Sequence, residues 1–170
     1  MEYVPRNTTN NLAIHCSASI KGTDIGVAEI ELMHIDRGWS GIGYNQVIRT
    51  GGRIEIGRPI NYRGAHVKGH NSDTLGICLV GGLLPDGTPA RRFEDGFDEE
   101  QGDSLYWSLL FYHRMWPNLQ VGGHRDFSPD LDGDGVIEEH EWLKACPCFN
   151  VWEWVRDRGL GHMFSPVLPA

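Results

Sequence analysis

The segment Asp130-Leu131-Asp132-Gly133-Asp134-Gly135-Val136-Ile137-Glu138-Glu139-His140-Glu141 constrains this chain more than any other stretch. Its residue types follow the calcium loop of an EF-hand. Asp130, Asp132 and Asp134 stand at loop positions one, three and five, and Val136 offers its carbonyl at seven. Glu138 stands at nine and Glu141 closes at twelve, with Gly135 giving the sharp turn at six and Ile137 packing at eight. Without a cation these carboxylates repel one another and a long insertion is mobile. With calcium bound the loop closes. There is one such loop, and Ser128-Pro129 lies too close to it for an entering helix, so a structural ion is expected rather than a calcium sensor. The loop begins six residues after His124 and ends just before Lys144-Ala145-Cys146-Pro147, so its closure brings a lysine and a cysteine toward a histidine.

Length allows one domain with a sizeable core, at 170 residues. The composition is that of a globular protein, 40% hydrophobic and 22% charged. A net charge of −8 disfavours generic nucleic-acid binding, which wants a basic face, so no nucleic-acid partner is expected. No apolar run approaches the roughly 18 residues of a membrane span, so no membrane insertion is expected. Met1-Glu2-Tyr3-Val4-Pro5-Arg6 lacks a secretory signal pattern, which predicts a chain made in the cytoplasm. Four cysteines form no disulfide framework: Cys16 and Cys78 lie in apolar strand-like runs and are expected as buried thiols.

Residues 1–10 are polar and expected as a flexible arm. Leu12 to Cys16 predicts a short buried strand. Gly22-Thr23-Asp24 predicts a helix start capped by Thr23 or Asp24, with Val27, Ile30 and His34 on one face and Gly38 as the stop. Tyr44 to Ile48 and Arg53 to Ile56 predict a hairpin through Gly51-Gly52. Leu75 to Val80 predicts a strand, residues 81–97 a loop excursion, and residues 98–116 a long helix buried through Leu105, Leu109, Tyr112 and Trp116. Leu119 to Val121 is expected as an edge strand, and Asn150 as the cap of a last helix ending at Gly159. Strands alternating with helices predict a single α/β domain over 11–160, a central mixed β-sheet flanked by helices, with 161–170 as an extended tail.

Three borderline-to-soft ligands stand at informative places: His15 at a strand end, His124 after Gly122-Gly123, and Cys146 before Pro147. Two imidazoles and a thiolate suit zinc, and three protein ligands leave a fourth position open for chemistry. A strand-end histidine such as His15 serves a structural role as readily. Tyr44 has an alternative as a packed strand tyrosine, Lys144 as a solvated lysine, and His34 belongs on the apolar helix face as a structural histidine.

In order along the chain, Ile14-His15-Cys16-Ser17-Ala18, Gly43-Tyr44, Ala65-His66, Gly69, Asn71, Gly76 to Gly82, Gly123-His124-Arg125-Asp126, Ser128-Pro129 and Lys144-Ala145-Cys146-Pro147 form a pattern. The pattern resembles the zinc-dependent N-acetylmuramoyl-L-alanine amidases, above all the amidase-type lysozymes of short-tailed T-odd phages, over roughly residues 12–158. Animal peptidoglycan-recognition proteins are similar at greater distance. The resemblance implies zinc on His15, His124 and Cys146, catalytic roles for Tyr44 and Lys144, and substrate contacts at His66 and Asn71, which as loop residues equally satisfy backbone groups. Cys148 is a conceivable replacement ligand, against the Lys-Ala-Cys-Pro register. The chain departs from the family in one respect. The relatives have a short His-to-Cys connection, whereas twenty-one residues separate His124 from Cys146 here, the excess being the acidic loop.

The implied function is a monomeric endolysin that cleaves the amide between N-acetylmuramic acid and the L-alanine of peptidoglycan, reaching the wall from the host cytoplasm after holin-type release. Two alternatives stand beside it. A cytosolic amidase that recycles anhydro-muropeptides uses an Asp as third ligand as a rule, which Cys146 opposes. A non-catalytic peptidoglycan or phage RNA polymerase binder is the other; the resembled lysozymes inhibit their polymerase, but nothing in this sequence indicates that partner.

Overall fold

The computed structural model describes residues 3–169, so Met1 and Glu2 of the expected arm and Ala170 of the expected tail lie outside it. Four parallel strands form its spine. β1 (Asn11–Cys16) pairs in parallel with β5 (Thr74–Leu79) on one side and with β7 (Gln120–Gly123) on the other. β3 (Gln46–Ile48) joins β5 in parallel, and β4 (Ile54–Ile56) closes that side antiparallel to β3. With β8 (Ser165–Pro166) beyond β7, the six-stranded order is β4-β3-β5-β1-β7-β8. β7 is therefore not the expected edge strand. The two-residue strand that covers it comes from the proline-containing tail, too short for any periodicity to announce.

Alternation along β5 explains why the runs read as continuously apolar: both sheet faces are covered. Leu75, Ile77 and Leu79 enter the larger core with Leu12 and Ile14 of β1, α3 (Glu99–Met115) and α4 (Val151–Asp157). Cys78 and Val80 face the other way, into a smaller cluster with Val47 and Ile30 of α1 (Val27–Asp36). The stripe Leu105, Leu109 and Tyr112 is fully buried and Trp116 packs on the same core, as the spacing predicts. Asp98 caps α3 by accepting from Gln101 N–H at 2.7 Å, and Asn150 caps α4 by accepting from Glu153 N–H at 3.0 Å.

Two local expectations change. α1 starts at Val27, not at Thr23 or Asp24, because Asp24 is committed to Arg49 at 2.8 Å. Its first amides are met by one local and one distant carboxylate: Glu29 of the first turn accepts from Gly26 N–H and Glu55 from Val27 N–H, each at 2.8 Å. The excursion 81–97 is partly regular: β6 (Gly82–Leu83) pairs with β2 (Ser19–Ile20), and α2 (Phe93–Gly96) packs Phe93 into the larger core. The hairpin of β3 and β4 turns through Gly51 and Gly52, both with positive φ, and a Cβ at Gly52 would lie 2.5 Å from the Glu100 carbonyl oxygen.

His34 is the structural histidine its helix face suggests. It is 3% exposed, and its Nδ1 accepts from Gly43 N–H at 2.9 Å, which requires that nitrogen to be unprotonated. Burial, then the Arg37 and Arg58 cations, lower its pKa from 6.5 to about 4. The unfolded chain therefore takes up a proton that the folded chain refuses. This part of the stability is present above pH 6.5 and is lost as pH falls toward about 4. Its slope is about 1.4 kcal/mol per pH unit. In His34→Asn, whose Oδ1 keeps the acceptor without the titration, urea unfolding of the metal-free protein between pH 7 and 5 should show a shallower acid-side loss than in the parent. An identical pH slope would contradict this role.

Candidate functional site

Parallel pairing of β1 with β7 sets Ile14 beside Gly123, so the residues that follow, His15 and His124, emerge at the same end of the sheet. His15 sits on the smaller-core face of β1, opposite Ile14. His124 opens the 3-10 turn His124–Phe127, which Asp126 fixes by accepting from Gly123 N–H at 2.7 Å. Arg125 N–H then donates to the Cys146 carbonyl at 2.9 Å, tying the end of the long insertion to the turn that carries His124. Gly123 is required at this junction, since a Cβ there would stand 2.5 Å from Pro147 Cδ.

The result is one cluster: ligand atoms of His15, His124 and Cys146 all lie within 4.8 Å of one another. The His15 and His124 rings are 4.7 Å apart, and His15 Nδ1 faces Cys146 Sγ at 3.8 Å. Cys16 N–H donates to the same sulfur at 3.2 Å. Burial holds the His15 imidazole well below its ordinary pKa, with neighbouring His66, His124 and Lys144 adding to the effect. Burial and then Lys144 lower His124 to about 4. Both imidazoles are therefore neutral near pH 7 with a lone pair to give, and the donor set of two nitrogens and one sulfur fits a borderline divalent cation. The conceivable substitute Cys148 is not in the cluster: its Sγ contacts Cys16 Sγ at 3.7 Å inside the larger core. Cys16 and Cys78 are buried thiols, as the apolar runs predict.

Tyr44 comes to the cluster from the residue pair preceding β3, its ring 5.1 Å from His15 and 5.3 Å from His34. Burial, reinforced by the nearby Cys78, Cys146 and Cys16, pushes its phenol well above the ordinary value, so it stays protonated at neutral pH. Lys144 is exposed and close enough to the two imidazoles for its cation to depress them.

His66 and Asn71 belong to the loop between β4 and β5. His66 is 7% exposed, and its Nδ1 lies 3.0 Å from His15 Nε2. Asn71 Oδ1 accepts from the His66 and Val67 amides at 2.8 and 3.0 Å. A residue the sequence did not single out supports them: Asn45, fully buried, accepts from Gly76 N–H at 3.0 Å and donates to the Arg58 carbonyl at 3.2 Å. Its only sequence signal is an amide beside Gln46 at the start of a strand-like run.

The acidic loop is folded by its own side chains. Glu141, 3% exposed, joins its two ends by accepting from Leu131 N–H at 2.6 Å and Glu138 N–H at 2.9 Å. Asp130 accepts from Gly133 and Gly135 N–H at 2.6 and 2.9 Å, and both glycines have positive φ. Carboxylate oxygens of Asp130, Asp132 and Glu141 lie within 4.8 Å of one another. Oxygens that each take one amide proton keep lone pairs free, so the set fits a hard cation. At the base, Ser128 Oγ accepts from Leu143 N–H at 3.1 Å, and the Arg125 guanidinium stacks 4.2 Å above Trp142. Arg91 of the excursion grips Glu139 with two hydrogen bonds of 3.0 and 2.8 Å.

Fold and donor set define a class: a mixed α/β domain with a metal-competent His–His–Cys cluster at the ends of its parallel strands. Comparison with known proteins gives the family. The endolysin of Enterobacteria phage K11 is 34% identical over 156 residues, covering 92% of this chain and 91% of that one. An uncharacterised protein of Haemophilus influenzae is 48% identical over 117 residues, 67% of this chain and 97% of its own. The solved structure of the endolysin N-acetylmuramoyl-L-alanine amidase LysCS from Clostridium intestinale superposes with a TM-score of 0.70 at 23% identity, covering 94% of this chain and 90% of that one. No family model matches the chain. The chain belongs to the phage endolysin family and has the fold of the N-acetylmuramoyl-L-alanine amidases. No helix among the described residues is long and apolar enough to cross a membrane.

Gly76 tests the local packing. A Cβ there would meet the His66 ring at 2.7 Å. Gly76→Ala should cost about 1–3 kcal/mol in urea unfolding, as overpacking of a filled core does. A cost near zero would mean that the ring is not held where the structure has it.

Proposed function

We propose that the protein is a zinc-dependent endolysin that hydrolyses the amide between N-acetylmuramic acid and the L-alanine of peptidoglycan. The observation that carries this reading is the convergence of His15, His124 and Cys146 within 4.8 Å in a chain of the endolysin family. Residues 11–160 form the catalytic unit, made in the host cytoplasm and acting on the wall after holin-type release.

Zinc held by these three side chains supplies a Lewis acid for the amide carbonyl and an acidified water. The chain's residues do the rest. Tyr44, kept protonated by burial, orients the attacking water, gives its phenolic proton to the leaving amine and recovers one from the water that has added to the carbonyl. Lys144 places its cation where negative charge develops on the carbonyl oxygen. His66 and Asn71 shape the wall of the groove beside His15. Removing zinc with a chelator should abolish release of new L-alanine amino termini from outer-membrane-stripped walls, and zinc alone should restore it. Tyr44→Phe and Lys144→Ala should each lower kcat by about 100-fold or more. Full activity of the chelated protein, or of both variants, would contradict the mechanism.

The acidic loop takes calcium on Asp130, Asp132, Asp134, the Val136 carbonyl, Glu138 and Glu141 and thereby holds Lys144 and Cys146 against the zinc centre. Calcium removal at constant zinc should lower activity and melting temperature, and Asp132→Ala and Glu141→Ala should reproduce that loss while becoming insensitive to added calcium. Parent-like melting and activity in both variants would remove calcium from the account.

A further inference from the structure

We propose that His66 is the positioning residue of the metal centre: it fixes the tautomer and ring plane of His15. The inference rests on the zinc reading above. His15 Nδ1 is the nitrogen that faces Cys146 Sγ, at 3.8 Å, so it is the ligating atom and carries no proton. The proton of the neutral ring then sits on Nε2, which donates to His66 Nδ1 at 3.0 Å. The two rings stand edge to face, 85° apart, with centroids 4.9 Å apart. His66 Nε2 must carry the proton of its own ring.

Three further observations separate this role from packing and from substrate contact. His66 Nε2 is buried and makes no well-formed hydrogen bond, the Thr74 backbone lying beside the ring. A side chain kept only to fill space would avoid a poorly met polar atom, so what retains an imidazole here is the acceptor at Nδ1. The ring also lies in a slot made by two missing side chains: a Cβ at Gly76 would stand 2.7 Å from its Cδ2, and one at Gly64 would overlap its edge. Asn71 holds the backbone at His66 and Asn45 holds Gly76, so both the ring's anchor and the floor of its slot are pinned. Finally, at 7% exposure His66 offers little surface to a polymeric substrate. An outer-layer partner of this kind orients a ligating histidine and raises its basicity, and its loss typically costs about 10–100-fold in metal affinity.

Zinc affinity is measured by competition with a chromophoric chelator, together with the visible spectrum of the cobalt-substituted protein and the kcat and KM for wall fragments. Two variants remove the acceptor at Nδ1: His66→Phe keeps the ring bulk, and His66→Gln, available if the phenylalanine fails to fold, keeps polarity near Nε2. His66→Asn puts an oxygen where Nδ1 was. The proposal expects zinc affinity about 10–100-fold weaker and an altered cobalt spectrum in the first two, with recovery toward the parent in His66→Asn. Parent-like affinity and spectrum with a raised KM would overturn it in favour of a substrate contact. Equal loss in all three variants, in step with the melting of the metal-free protein, would overturn it in favour of packing. His15→Ala separates the premise: zinc held as tightly by that variant as by the parent would remove the metal-centre reading itself.

Discussion

The parallel pairing of β1 with both β5 and β7 is the constraint on which the site depends. Parallel strands point the same way, so residues leaving β1 and β7 at matched register share one end of the sheet. That end receives His15 directly and His124 one residue beyond the pairing. Cys146 comes back to them on the far side of a long insertion, tied by the Arg125 amide to its carbonyl. The sheet is rigid because both faces are packed, and the ligand positions inherit that rigidity. A preformed donor set costs less ordering when a metal binds.

The two clusters of potential ligands are mechanically coupled. The acidic loop lies between His124 and Cys146 in sequence, and its base is clasped by Ser128 to Leu143 and by Arg125 on Trp142. Arg125 is the hinge of the arrangement: its amide holds Cys146 while its guanidinium packs on the loop. A cation that orders the loop therefore acts on the same segment that carries Lys144 and Cys146. The twenty-one residues between His124 and Cys146 raise the entropy of closing that connection, which a cation on the loop would offset.

Much of this was legible in the sequence. The α/β class, the hairpin at Gly51-Gly52, the buried stripe of α3 and the cap Asn150 follow from spacing and residue type, because each is a local preference that the packed structure keeps. The candidate ligands were visible as residue types at strand ends and before a proline. What stayed hidden was non-local. Glu55 serving the first turn of α1, Ser165 and Pro166 covering β7, and Asn45 bracing the slot behind His15 all join segments far apart in the chain. The depth at which His66 sits behind His15 is of the same kind: its sequence context is a glycine-rich loop, and only the missing side chains at Gly64 and Gly76 make that loop a slot.

The most direct test of the central claim is zinc K-edge X-ray absorption on the purified zinc-loaded protein. The account predicts a four-coordinate centre with two nitrogen neighbours at about 2.0–2.1 Å, one sulfur at about 2.3 Å and one further light atom. A spectrum without sulfur, or with two sulfurs, would contradict the assignment of His15, His124 and Cys146 as the metal centre.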